Sequence, residues 1–121
     1  MPGHPKVHII VLNYNRKDDT LDCLRSLYGM DYPAFKVMVV DNGSTDGTAR
    51  AVREAFPQAE VVENAANLFY AEGNNVGTRL ALKGDADYIM LLNNDTVVDR
   101  GLAGGLVAAM QAHPEAGIAG P

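Results

Sequence analysis

The 121-residue sequence has no tryptophan and a single cysteine, Cys23. One cysteine excludes an intrachain disulfide and fits a reducing compartment. Its plain role is that of a small apolar residue on a helix. His4, His8 and His113 stand far apart, without the second-ligand spacing that zinc needs. Positive charge is scarce as well: 10 Lys and Arg against 15 Asp and Glu leave a net charge of −5. That balance argues against nucleic acid as a partner, because binding a phosphate backbone needs a basic surface. An anionic ligand would need backbone amides, a few basic residues or a metal. The longest low-polarity stretch, Gly101 to Met110, falls well short of the roughly 20 residues that span a bilayer. The start, MPGHPK, lacks the apolar core of a signal peptide, so the expected location is the cytoplasm. Also missing are G-x-G-x-x-G after the first strand, G-x-x-x-x-G-K-[ST] and G-x-S-x-G. Their absence sets aside the dinucleotide fingerprint, the P-loop and the hydrolase elbow.

With 47% apolar and 21% charged residues, the composition is that of a soluble globular domain, and the length suits one core. Apolar runs alternate with helical periodicity. A strand is expected over about Val7 to Leu12. A helix follows near Asp18 to Tyr28, capped by Asp18 or Asp19, with Leu21, Leu24, Leu27 and Tyr28 inward and Gly29 as its stop. The second strand is about Lys36 to Val40. The second helix, near Thr45 to Phe56, turns Ala49, Val52 and Phe56 inward. A short strand, Ala59 to Asn64, precedes a loop and a helix near Asn74 to Lys83 with Val76 and Leu80 inward. The fourth strand is ADYIMLL. A helix near Asp99 to His113 carries Leu102, Leu106, Ala109 and Met110 on one face, and Ala116 to Gly120 begins a fifth strand. Strands with continuous Val, Ile and Leu runs between amphipathic helices imply an α/β fold: a mostly parallel open sheet with helices on both faces. Residues 1–121 read as a single domain.

In such a sheet ligands bind beyond the carboxyl ends of the strands. Three of those ends are strongly polar. The first gives Asn13, Tyr14, Asn15 and Arg16. The second gives Asp41, Asn42, Gly43, Ser44, Thr45 and Asp46. The fourth, in LLNNDT, gives Asn93, Asn94 and Asp95. Each alone is an ordinary turn or helix cap; three on one edge of a parallel sheet make a site.

The segments IIVLNYNR, VMVVDNGSTDGT, NLFYAEGNNVGTRLAL and DYIMLLNNDTVVD occur in the order and approximate spacing of the family 2 glycosyltransferases with the GT-A fold, which the chain resembles from about Lys6 to Pro121. LNND with EGNN is most similar to the rhamnosyltransferase-like branch. The resemblance implies a Rossmann-like, nucleotide-sugar-binding GT-A half, a nucleotide-diphosphate sugar as donor, and inversion at the anomeric carbon. Asn93-Asn94-Asp95 occupies the D-x-D position. Asp95, with Asn93 at the first place of the motif, then faces a divalent cation, Mg²⁺ or Mn²⁺. One carboxylate suffices for Mg²⁺, which leaves its other sites to phosphates and water. Asp41 matches the acceptor for a pyrimidine N3–H; an ionised carboxylate accepts and cannot donate. Tyr14 matches a position that packs on the base. Asn13, Asn15 and Asn42 border these, and Asn67, Gly73, Asn74, Asn75 and Gly77 match the donor-side loop, its glycines expected to let backbone approach the ligand. GSTDGT is expected to be a turn and helix start, and Arg16 and Arg79 are candidates for neutralising phosphate.

The expected whole enzyme moves a sugar from dTDP-rhamnose or a UDP-sugar to a glycan or lipid-linked acceptor, in the cytoplasm or peripherally at the inner face of the membrane. Its general base and acceptor site are expected beyond Pro121, and the edge so exposed invites a homodimer. Two rivals stand beside this reading. One is a sugar-phosphate nucleotidyltransferase, which wants a Gly- and Arg-rich loop where NYNRKDD stands. The other is a non-catalytic nucleotide-binding or interaction module.

Overall fold

The computed structural model describes residues 4–120; Met1 to Gly3 and Pro121 lie outside it. Four strands and four helices alternate: β1 (Val7–Asn13), α1 (Lys17–Leu27), β2 (Phe35–Asp41), α2 (Thr48–Ala55), β3 (Glu60–Glu63), α3 (Phe69–Leu82), β4 (Tyr88–Asn93) and α4 (Leu102–Ala112). The strands form one open sheet in the order β3-β2-β1-β4, and every pairing is parallel.

The core lies on both sides of the two central strands. On one face Val7, Ile9 and Val11 of β1 and Val37 and Val39 of β2 meet Cys23, Leu24 and Leu27 of α1, Val52 of α2, and Ala103 and Val107 of α4. On the other face Ile10, Met38 and Val40 meet Ala81 of α3. Strands buried on both faces cannot alternate polar and apolar residues, which is why β1 and β2 read as continuous runs. Each buried aliphatic side chain here contributes about 1.5–3 kcal/mol.

Several local expectations are corrected. Helix α3 begins at Phe69, not near Asn74, and its buried positions are Gly73, Asn74, Gly77 and Ala81, whereas Leu80 is exposed. The helix lies so close to the sheet that a Cβ on Gly73 would fall 2.6 Å from Leu12 Cδ1, and one on Gly77 2.7 Å from Ile10 Cγ2. Small residues four apart therefore make the inward stripe. The glycines serve close packing of helix on sheet.

Neither Asp18 nor Asp19 caps α1. Its first amide, Lys17 N–H, is instead held by Asp46 Oδ2 at 3.0 Å. The same carboxylate accepts from Thr48 N–H at 3.1 Å, at the start of α2. One aspartate thus caps two helices from the turn between β2 and α2, consistent with a structural role for GSTDGT. Burial alone would raise the Asp46 carboxyl; the bonds from the Thr48 hydroxyl and from the Lys17 and Thr48 amides outweigh it and hold it below the usual carboxylate value. Helix α2 starts at Thr48 because Gly47, at φ 80°, still belongs to the turn. In α4 the buried positions are Ala103 and Val107, with Leu102, Leu106 and Met110 half-buried and Ala109 exposed. Ala116 to Gly120 form no strand; this glycine-flanked segment has a single strong strand former, Ile118.

The two kinds of glycine predict opposite outcomes. Gly77→Ala gains about 1 kcal/mol of helix propensity but drives a methyl against the branched Ile10 and Val40, an overpacking cost of roughly 1–3 kcal/mol. Net destabilisation is expected. Gly105→Ala meets no atom within 4 Å and is expected to stabilise by about 0.5–1 kcal/mol. Urea unfolding of the two variants checks both signs.

Candidate functional site

Register brings the polar strand ends level. Asn13 pairs with Asp41, and Leu12 with Asn93. The sheet order reverses at β1, since β2 and β3 lie on one side and β4 on the other. The crevice at such a switch point is where open α/β sheets bind ligands. A cleft of about 370 Å³ lies there, lined by Leu12, Tyr14, Arg16, Asn42, Asn67, Phe69, Tyr70, Asn93, Asn94 and Asp95.

Behind its floor is a buried polar network centred on Asn13, which is 0% exposed. Asn13 Nδ2 donates to Asp41 Oδ1 at 3.0 Å and to Ser44 Oγ at 2.9 Å. Asn13 Oδ1 accepts from Thr20 Oγ1 at 2.7 Å and from Asn94 Nδ2 at 3.2 Å. Asp41 fixes the orientation of this amide, because a carboxylate accepts only and must face the NH₂. Asn94 Nδ2 also donates to Thr20 Oγ1 at 3.1 Å. Ser44 donates to Asp41 Oδ1 and accepts the Asn15 amide at 2.8 Å. Asn15, at φ 50°, returns its own Oδ1 to Thr45 N–H at 2.8 Å.

The expected site residues therefore separate. Tyr14, Asn42, Asn67, Asn93, Asn94 and Asp95 line the cleft. Asn13 and Asp41 lie behind it, Asp41 at 3% exposure, and Asn15 laces the two loops. Gly73, Asn74 and Asn75 are not among the lining residues. Gly73 packs on Leu12 and Asn42. Asn74 is buried, with no hydrogen-bond donor to its Oδ1 among the described residues. Asn75 is exposed. Arg16 reaches the cleft while pairing with Asp19 at 2.7 Å, and Arg79 pairs with Glu72 elsewhere on α3. Phe69 and Tyr70, in a segment expected to be loop, also line the cleft. Two adjacent aromatics following Asn67 in a polar segment were the available signal.

Asp95 is exposed and takes no side-chain bond among the described residues, whereas its neighbour Asn94 is tied to Asn13 and Thr20. A lone carboxylate with Asn93 beside it is a hard-oxygen donor set, which fits Mg²⁺ or Mn²⁺ if phosphates and water complete the shell. No cluster of three or more His, Cys, Asp or Glu is present among the described residues. The set therefore fits a cation that arrives with its nucleotide better than one held by protein alone. Burial, with the nearby Asp95 charge adding to it, pushes the Cys23 thiol up to about 11, which keeps it inert.

Comparison with known proteins decides the family. The profile described as "Glycosyl transferase family 2" matches residues 8–121. The chain belongs to glycosyl transferase family 2. It is 30% identical over 128 aligned positions to an N-acetylglucosaminyltransferase of Azorhizobium caulinodans, covering 99% of this chain and 31% of that protein. It is 34% identical over 95 positions to the N-acetylglucosaminyl-diphospho-decaprenol L-rhamnosyltransferase of Mycobacterium tuberculosis, covering 70% of this chain and 30% of the relative. Among solved structures it resembles the mannosyltransferase PcManGT from Pyrobaculum calidifontis in complex with GDP-Man and Mn²⁺, at TM-score 0.79 and 28% identity over 89% of this chain and 33% of that one. S. aureus TarS matches in fold with TM-score 0.79 and 24% identity, over 90% of this chain and 33% of that one. The chain spans about a third of the length of these relatives. Its sheet and helices are the Rossmann-like GT-A arrangement.

For this member of the family the network predicts a division of labour. Asn13→Ala leaves the Thr20 hydroxyl without its acceptor, leaves the Asn94 amide with one of its two acceptors, and removes a donor from Asp41. It is expected to cost about 2–4 kcal/mol. Asn93→Ala, at an exposed cleft position, is expected within about 0.5 kcal/mol of the parent. Chemical denaturation of both checks the contrast.

Proposed function

We propose that this chain binds the nucleoside-diphosphate-sugar donor of an inverting glycosyltransferase, with dTDP-rhamnose or a UDP-sugar as donor and a glycan or lipid-linked acceptor. The observation that carries the reading is Asp95, a carboxylate with no side-chain bond among the described residues, at the mouth of a cleft lined mainly by aromatic and amide side chains. In this reading Tyr14 packs on the base, and the Asp41 carboxylate, 3% exposed behind the cleft and bonded by Asn13 and Ser44, would accept from a pyrimidine imide only where the floor in front of it opens. Asn42 and Asn67 offer amides to the ligand's hydroxyls, and Arg16 places positive charge near the phosphates. Asp95, with Asn93, would hold a divalent cation, which when bound supplies positive charge to the leaving diphosphate. PcManGT, solved with GDP-Man, keeps a guanosine donor as the second reading.

Among the described residues that line the cleft, Asp95 alone carries a carboxylate. Glu72 is engaged by Arg79, and Glu115 lies beside His113. A base for the acceptor hydroxyl is therefore proposed to lie outside these residues, and this chain alone is expected to bind donor without transferring sugar. Loss of a positioned base costs a catalytic factor of roughly 10²–10⁴. The working location is the cytoplasm, peripheral to the inner face of the membrane in the whole enzyme.

Titration calorimetry with UDP, dTDP and GDP, with and without Mn²⁺, tests the reading. Metal-dependent pyrimidine binding is expected, and Asp95→Asn should remove most of the metal dependence with the fold unchanged. Equal Mn²⁺-nucleotide affinity in parent and variant would make Asp95 a turn residue.

The outer edge of β4 has no strand partner among the described residues, and beside it runs an apolar trough lined by Tyr88, Met90, Leu92, Leu106, Met110 and Ile118. We propose that two copies pair along this edge. Light scattering should report a dimer that Leu91→Lys, at a 49%-exposed strand position, returns to monomer. A monomeric parent at high concentration would contradict the proposal.

A further inference from the structure

Two non-glycine residues have positive φ among the described residues, Asn15 at 50° and Phe69 at 62°. Asparagine visits the left-handed region readily; a bulky aromatic does not. Phe69 is held there from both sides. Its N–H donates to Asn67 Oδ1 at 2.8 Å, and its carbonyl accepts from Asn42 Nδ2 at 3.1 Å. Asn42 is itself buried and fixed by Asn64, whose Nδ2 donates to Asn42 Oδ1 at 2.8 Å. The outcome of this clamping is an apolar ring 76% exposed at the cleft wall. Burial cannot be what selects a strained backbone that carries a phenyl ring into solvent. Such outliers persist where surrounding structure over-determines them, and they gather at ligand sites.

Building on the proposed function, we infer that Phe69 is a preset stacking platform for the nucleobase of the donor. The Phe69 carbonyl is tied through Asn42 to the exit of β2, next to Asp41, while Asp95 stands at the exit of β4. With β1 between them, these exits lie about 10 Å apart. A nucleoside diphosphate whose phosphates sit at Asp95 extends its base toward β2, and the base is its flat apolar part. Phenylalanine has no polar handle, so it contributes a face and no hydrogen-bond reading. Phe69 therefore supplies affinity and no discrimination among bases. The clamp fixes the backbone from which the ring projects before ligand arrives, which lowers part of the ordering cost of binding.

The experiment separates ring from backbone. Phe69→Ala removes the ring and keeps the strained backbone; Phe69→Gly removes both; Phe69→Trp keeps an aromatic face. Each is titrated with UDP and with a UDP-sugar in Mn²⁺, and its stability is measured by urea unfolding. Phe69→Ala and Phe69→Gly are expected to lose about tenfold in affinity for both ligands, the order of one base–aromatic stack, and Phe69→Trp to keep parental affinity. Phe69→Gly should be more stable than Phe69→Ala while binding no better, a split that a purely structural role does not produce. Unchanged affinity in Phe69→Gly overturns the inference while the parent's own nucleotide binding leaves the functional reading standing. Loss confined to the UDP-sugar, with UDP unaffected, overturns it in favour of a sugar contact. A parent that binds no nucleoside diphosphate removes both.

Discussion

The side-chain amide of Asn13 is the constraint on which the site depends. It makes four hydrogen bonds, to Asp41, Ser44, Thr20 and Asn94. Those partners come from the end of β2, the turn after it, helix α1 and the loop after β4. Parallel pairing makes the strand ends level, but only side chains can bind the loops that leave them. A buried amide with both ends satisfied does this at low dielectric, where each bond is stronger and each loss costs more. Burying such a group without partners would cost several kcal/mol, so the network forms together or not at all.

This arrangement fixes which polar groups remain for a ligand. Asn94 is drawn inward by Asn13 and Thr20, and Asp46 is spent on the amides that begin α1 and α2. Asp95 and Asn93 are left outward at the cleft, and Tyr14, Phe69 and Tyr70 stand exposed around it. Close approach of α3 through Gly73 and Gly77 carries its first turn to the cleft wall, so the packing that looks purely structural also places the aromatic side.

The sheet was legible because β1 and β2 are buried on both faces and show it as unbroken Val and Ile runs. The helices were legible as elements but not at their ends. Asp46 caps from a distant turn, and a contact separated by 29 positions leaves no mark in local pattern. Periodicity pointed to Val76 and Leu80 as the inward face of α3, yet close packing selected Gly73 and Gly77, which hydrophobicity cannot flag. At the site, the polar clusters were found together, but which member faces inward was not. Asn13 and Asn93 are the same residue type in like positions; only the parity of β1 and β4 relative to α1 makes one a buried hub and the other a cleft residue. The exposure of Phe69 rests on a backbone angle that no composition predicts.

The most direct test of the account is paramagnetic broadening in the amide NMR spectrum of this chain on adding Mn²⁺ with UDP. The account predicts that signals of Asn93, Asn94 and Asp95 broaden first, that those of Tyr14 and Phe69 shift with nucleotide, and that those of His8 and Asp85, paired at the opposite end of the sheet, stay sharp. Broadening centred on Asp85, or none at Asn93 to Asp95 with nucleotide bound, would contradict it.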